Sequence, residues 1–115
     1  MPRNDEWSPD RYLFAYARRI WQWSPERHAV VEAASKSAGH KLKRRCAKCE
    51  NIFPKGEVVA DHIVPVIDPV KGFETWDIYY KRLFTTRDNL QALCVNCHKN
   101  KTEEENKCRR SSKKN

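Results

Sequence analysis

The 115-residue chain is long enough for one domain and too short for two cores of ordinary size. Hydrophobic residues make up 39% and charged residues 33%, a polar but foldable composition, and 23 Lys and Arg against 15 Asp and Glu leave a formal charge of +8, which points to a polyanion such as nucleic acid. No apolar run approaches a membrane span and the N-terminal Met-Pro-Arg-Asn-Asp-Glu-Trp has no apolar signal core, so the expectation is an intracellular, cytoplasmic protein with no membrane partner.

Residues 1–40 read as a helical N-terminal region with two matched starts. Trp7-Ser8-Pro9-Asp10-Arg11 and Trp23-Ser24-Pro25-Glu26-Arg27 repeat one grammar sixteen residues apart. In each, Ser is placed to cap, Pro takes the first helical position and an acid sits near the positive helix end. Trp7 should staple onto Tyr12 across the first cap. The first helix is expected over about 9–22, with Leu13, Tyr16, Ala17 and Ile20 on its apolar stripe. The second is expected over about 25–37, stopped by Gly39. Arg18, Arg19 and Arg27 are candidates for phosphate contacts.

Lys41-Leu42-Lys43-Arg44-Arg45 then places four positive charges before the first cysteine pair. Such a run reads either as a solvated face or as a phosphate-binding segment. Residues 50–67 are expected to form a hairpin, with Asn51-Ile52-Phe53 as one strand, Pro54-Lys55-Gly56 in the turn and Val58 to Val64 as the second strand. Thr75 should cap a short helix from Trp76 to Phe84, with Trp76, Tyr79, Tyr80 and Leu83 as its apolar side. A last helix is expected from about Val95 to Lys107. The basic stretch from Cys108 to Asn115 reads as a disordered tail, so the chain divides into 1–40, 41–107 and 108–115.

Four of the five cysteines fall in two identical spacings, Cys46-Ala-Lys-Cys49 and Cys94-Val-Asn-Cys97. In a reducing compartment, two such knuckles supply the four tetrahedral positions of a closed structural zinc site. A redox pair would need only one knuckle, set in a βαβ unit. Structural zinc is worth on the order of 10 kcal/mol in small domains, which offsets a modest core. Cys108 lies outside the pattern and reads as a free thiol. The 44 residues between the knuckles are far more than a zinc ribbon needs, so the insertion is where function is sought.

Three further signals sit on this frame: Asp61-His62 in the expected strand, Asn89 before the second knuckle, and His98 directly after Cys97. Together Cys46-x-x-Cys49, Asp61-His62-Ile63-Val64-Pro65 and Asn89-Leu90-Gln91-Ala92-Leu93-Cys94-x-x-Cys97-His98-x-x-Lys101-Thr102 make the chain, from Cys46 to about Thr102, resemble the HNH endonuclease family. With its N-terminal helices, it looks most like the small free-standing HNH proteins of bacteriophages. The resemblance implies an α+β fold containing a ββα-metal finger, a two-stranded hairpin and a helix clasping one divalent ion. It also implies that His62 is the general base, that Asp61 and His98 ligate the catalytic metal, and that Asn89 braces the loop carrying the base. Cys46, Cys49, Cys94 and Cys97 would hold structural Zn²⁺.

The chemistry of the residues agrees with that reading. Phosphodiester hydrolysis needs a nucleophile made at neutral pH, and an imidazole with a pKa near 6.5 suits a base. A carboxylate with an imidazole suits Mg²⁺ or Mn²⁺ and would accept Ni²⁺ or Zn²⁺. Neighbours on a helix point about 100° apart, so Cys97 and His98 can serve separate sites. Neighbours on a flat strand point to opposite faces, so Asp61 and His62 can share a site only at a strand end or a bulge near 60–63. DNA is the expected partner, gripped mostly through phosphates by Lys41, Lys43, Arg44, Arg45, Lys99 and Lys101. A monomer or weak dimer and a phage packaging or DNA-processing partner complete the expectation. The alternative is a zinc-clipped DNA-binding module without catalysis. His28 and His40 have no such company and read as surface residues.

Overall fold

A computed structural model describes residues 7–114; Met1–Glu6 of the expected N-terminal region and Asn115 of the expected tail lie outside it. Four helices and four short strands follow one another as α1 (Pro9–Trp21), α2 (Pro25–Ala38), β1 (Lys43–Arg45), β2 (Ile52–Pro54), β3 (Val58–His62), α3 (Trp76–Leu83), β4 (Leu90–Cys94) and α4 (Val95–Lys114). The fold is α+β, with two small antiparallel sheets, β1–β2 and β3–β4. Among the described residues no helix is long and apolar enough to cross a membrane.

The two helix starts behave alike in placement and differently in detail. Pro9 and Pro25 take the first positions, but only Ser24 accepts a side-chain cap, from the Arg27 N–H at 3.5 Å. Trp7 meets Tyr12 with ring centroids 6.4 Å apart. Gly39 ends α2 at φ 73°, a left-handed conformation that costs glycine nothing. The apolar stripe expected on α1 is corrected in part: Leu13, Tyr16 and Ile20 are exposed, whereas Ala17 does face the core, with Phe14 and Trp21 beside it. Both stripes fit a helical period. The winner is set by α3, whose Tyr79 stands edge-on to Phe14 at 4.9 Å.

The expected hairpin over 50–67 does not form. β2 pairs backwards with β1, Arg44 opposite Phe53, and β3 pairs with β4, whose five residues carry no strand expectation in the sequence reading. The residues after Pro54 close a single 3-10 turn, Lys55–Glu57, which redirects the chain instead of reversing it. The reversal of 43–54 happens instead at the first cysteine knuckle, where Cys46 N–H donates to Asn51 O at 2.9 Å and Glu50 takes φ 65°.

The disordered tail is likewise corrected. α4 continues through Lys114, because neither glycine nor proline interrupts the sequence from Val95 onward. α3 is capped by Thr75, whose hydroxyl accepts from Ile78 N–H at 3.2 Å, and it buries Tyr79 and Leu83 while Tyr80 stays exposed.

Two clusters form the interior. One gathers Ala34, Cys46, Val58, Ala92, Leu93 and Cys94; the other gathers Trp21, Tyr79, Leu83 and Leu90. Val30 of α2 packs against both. A bidentate contact from Arg87 to Glu26, at 3.0 and 3.2 Å, ties the start of α2 to the 3-10 turn before β4. The Arg87 guanidinium holds the Glu26 carboxyl below its usual pKa.

Candidate metal centre and adjoining cavity

The four sulfurs of Cys46, Cys49, Cys94 and Cys97 lie within 4.8 Å of one another, a cluster that could hold a metal ion such as zinc. Zn–S bonds of about 2.3 Å in a tetrahedron set sulfurs about 3.8 Å apart, and Cys49 Sγ lies 3.9 Å from Cys94 Sγ. Local backbone turns aim amides at the sulfurs: Cys49 N–H donates to Cys46 Sγ and Cys97 N–H to Cys94 Sγ, each at 3.5 Å. Burial opposes ionisation of Cys46, but the amides around it, from Cys94, Cys49 and Lys48, bring its thiol down to about 6. Cys97 is pushed up to about 12, first by the Cys94 sulfur beside it and then by burial. Cys108 is exposed on α4 and takes no part.

At the other end of β3, a cavity of about 400 Å³ is lined by Asp61, His62 and His98 together with residues of α1, α3 and α4. The neighbours in β3 do project apart, since the register with β4 is unbroken from Val58 opposite Cys94 to His62 opposite Leu90. Asp61 points toward α4 and His62 toward α1 and α3. They share the cavity because the strand stops at His62, so no bulge is needed.

Asp61 divides its oxygens. Oδ1 lies 3.7 Å from His98 Nε2, within the span of two ligands about 2.1 Å from a common ion. Oδ2 accepts from Gln91 Nε2 at 3.1 Å and faces Lys101 Nζ at 3.3 Å. That donor set, one carboxylate oxygen opposite one imidazole nitrogen with the second oxygen held by an amide, fits a divalent cation.

His62 is held on three sides. Its Nε2 lies 2.9 Å from Leu83 O, and since a carbonyl only accepts, Nε2 carries the ring proton and Nδ1 keeps a lone pair. The indole of Trp21 stacks on the ring with centroids 4.5 Å apart. Its backbone carbonyl accepts from Lys101 Nζ at 2.9 Å. Burial holds the imidazole below its ordinary pKa, outweighing the Leu83 carbonyl and Asp61, with the Lys101 charge acting in the same direction as burial.

Asn89 accepts the Val64 N–H on Oδ1 at 3.1 Å and the Ile63 N–H on its backbone carbonyl at 2.9 Å, so it clamps the two residues that follow His62.

The basic residues fall into different places than the sequence groups them. Lys41, Lys43 and Lys99 are exposed. Arg44 and Arg45, expected as phosphate contacts, also tie the fold together from within. Arg44 Nη1 donates to Lys55 O and Val58 O, and Arg45 donates to Glu50 O at 2.7 Å and to Ser37. Arg27 donates to Gln22 O and lies over the Trp21 ring, closing the α1–α2 turn. Lys101 lies inside the cavity between Asp61 and Glu105, its pKa raised because Glu105 and Asp61 outweigh the burial that would lower it.

Trp21, Glu105 and Arg109 also line the cavity, and the sequence singles out none of them; Arg18, a candidate phosphate contact from the sequence, lines it too. A signal existed for α4: His98, Lys101, Glu105 and Arg109 recur every three or four residues, one face of a helix. Nothing in the order of residues announces Trp21, whose role depends on how α1 folds back. Comparison with known proteins gives no match: no family model, curated protein or solved structure matches the chain.

Proposed function

We propose that the chain is a metal-dependent DNA endonuclease of the HNH type, with β3, β4 and α4 as its ββα-metal finger and zinc in the four-cysteine cluster. The observation that carries this reading is the meeting of Asp61, His62 and His98 at one cavity, with a defined tautomer on His62. Asp61 Oδ1 and His98 Nε2 would hold the catalytic cation, Mg²⁺ or Mn²⁺ by preference and Ni²⁺ or Zn²⁺ by donor type. When bound, that cation supplies charge stabilisation at the scissile phosphate.

His62 does the proton chemistry. Held neutral by burial, its Nδ1 takes a proton from water as the water oxygen bonds to phosphorus. The P–O3′ bond breaks and the leaving oxygen is protonated from solvent, giving 5′-phosphate and 3′-hydroxyl ends, the polarity the HNH resemblance implies. Leu83 O fixes the tautomer, Trp21 the ring plane and Asn89 the chain behind it. Arg18 and Arg109, at the cavity wall, are suited to flanking phosphates. One active site cuts one strand, so the expected product is a nick.

The test is relaxation of supercoiled plasmid in a panel of divalent metals. Wild type should nick, and His62→Ala should lose about 10²- to 10⁴-fold in rate while keeping zinc content and DNA affinity. No nicking with any metal, or normal cutting by His62→Ala, overturns the proposal.

A further inference from the structure

A second concave site, of about 450 Å³, lies between α2 and the β1–β2 hairpin. Its lining includes Lys36, Lys41, Arg44 and Lys55, against one carboxylate, Glu32. Among the described residues Lys36, Lys41 and Lys55 make no ion pair, so no described carboxylate neutralises their charge. Arg44 is the fixed element: its donations to Lys55 O at 3.1 Å and Val58 O at 3.0 Å lock the guanidinium in the wall.

The two histidines that the sequence leaves as plain surface both line this cleft. His28 belongs to the α2 wall, one turn before Glu32 and two before Lys36. His40 Nδ1 accepts the Leu42 N–H at 3.0 Å, which puts the neutral ring's proton on Nε2 and makes that nitrogen a donor. Cations and ring donors around one concavity, without matching acids, are the chemistry that receives a phosphate.

We infer that this cleft binds the phosphodiester backbone of duplex DNA, as a subsite separate from the cavity at His62. The inference rests on the endonuclease reading for the identity of the polyanion. Its position suits that role: Arg44 is bonded to Val58, the first residue of the strand that ends at His62. Four residue steps of a strand span about 13 Å, close to four base-pair rises of duplex DNA. A duplex cut at His62 therefore passes within reach of the cleft.

The experiment is duplex binding by the full, zinc-loaded chain, read as fluorescence anisotropy across a salt series without added catalytic metal. The variant is Lys36→Gln/Lys41→Gln/Lys55→Gln, three exposed side chains. Losing three phosphate contacts should flatten the slope of log K against log salt by between about two and three and weaken binding at least tenfold. Lys→Arg at the same positions should keep the wild-type slope, which a fold defect would not allow. An unchanged slope in the Gln variant overturns the inference, as does polyglutamate displacing the probe as well as unlabelled duplex does. Wild type that nicks, beside a Gln variant with unaltered slope, fails the cleft alone. Wild type that binds steeply but never nicks fails the endonuclease reading, and the slope still decides the cleft.

Discussion

The cysteine cluster and the cavity occupy opposite ends of one strand pair: Val58 faces Cys94 at the first and His62 faces Leu90 at the second. Both draw on β4 and α4, yet they are built differently. The cluster takes all four sulfurs from two local turns, each holding its pair by its own amides. The cavity takes its groups from strand, helix and loop, and its His62 ring is set by α1 and α3, elements that contribute no metal-binding group to the cluster. A local turn fixes geometry by spacing alone, whereas a shared cavity needs the whole chain packed first. The cluster should therefore govern whether the domain folds, and the cavity walls should govern how the base titrates.

The largest effect separating the two should come from Cys94→Ala. With one ligand gone, a metal contribution on the order of 10 kcal/mol is largely lost, so the variant should lack stoichiometric zinc and show no cooperative melt by circular dichroism. A Cys94→Ala protein that retains zinc and melts like wild type would erase the distinction, since the clip would then be dispensable.

The next effect sits on the cavity wall. Trp21 is 7% exposed, and Trp21→Ala should cost about 3–5 kcal/mol in thermal or denaturant unfolding while leaving zinc content intact. Trp21→Phe keeps most of the packing and tests the titration. Burial depresses the His62 pKa in the folded protein, so the neutral base persists below the ordinary value of about 6.5. The wild-type nicking rate should hold as pH falls past 6.5 and drop only as pH passes the depressed value. In Trp21→Phe, with a smaller ring over the imidazole, that acid limb should move upward. The same depression makes the fold lose stability as pH falls below about 6.5, because the unfolded chain then takes up a proton the native ring resists. An acid limb that does not move in Trp21→Phe would show that the indole has no hand in setting the base.

The smallest effect should come from Asn89→Ala. Losing the hydrogen bond to Val64 N–H should cost about 1 kcal/mol of stability and slow nicking on the order of tenfold, about 1.4 kcal/mol of barrier, with zinc content and duplex affinity unchanged. A variant slowed no more than any distant surface substitution would reduce Asn89 to a plain structural tie.

Much of the helical frame was legible because its signals are local. Pro at the first turn, Thr75 as a cap and Gly39 at the end of α2 act over three or four residues, and each works at its place. Strand pairing was not legible in the same way. Ile52 to Pro54 and Val58 to His62 look like a hairpin because they are close in sequence, but each found a partner elsewhere. Arg44 and Arg45 show the same limit: a run of charge cannot reveal which guanidiniums find carbonyls within the fold.

The sequence by itself determined the two knuckles, the helix boundaries set by caps, and the presence of one carboxylate and two imidazoles that could work together, because spacing and side-chain chemistry are properties of short segments. Only the tertiary structure decided which face of α1 is buried, that β4 lies beside β3, that His62 donates its Nε2–H to the Leu83 carbonyl, and that Lys101 lies within the cavity. Those outcomes depend on contacts between residues tens of positions apart, where the energy belongs to the packed pair and leaves no mark on either partner alone.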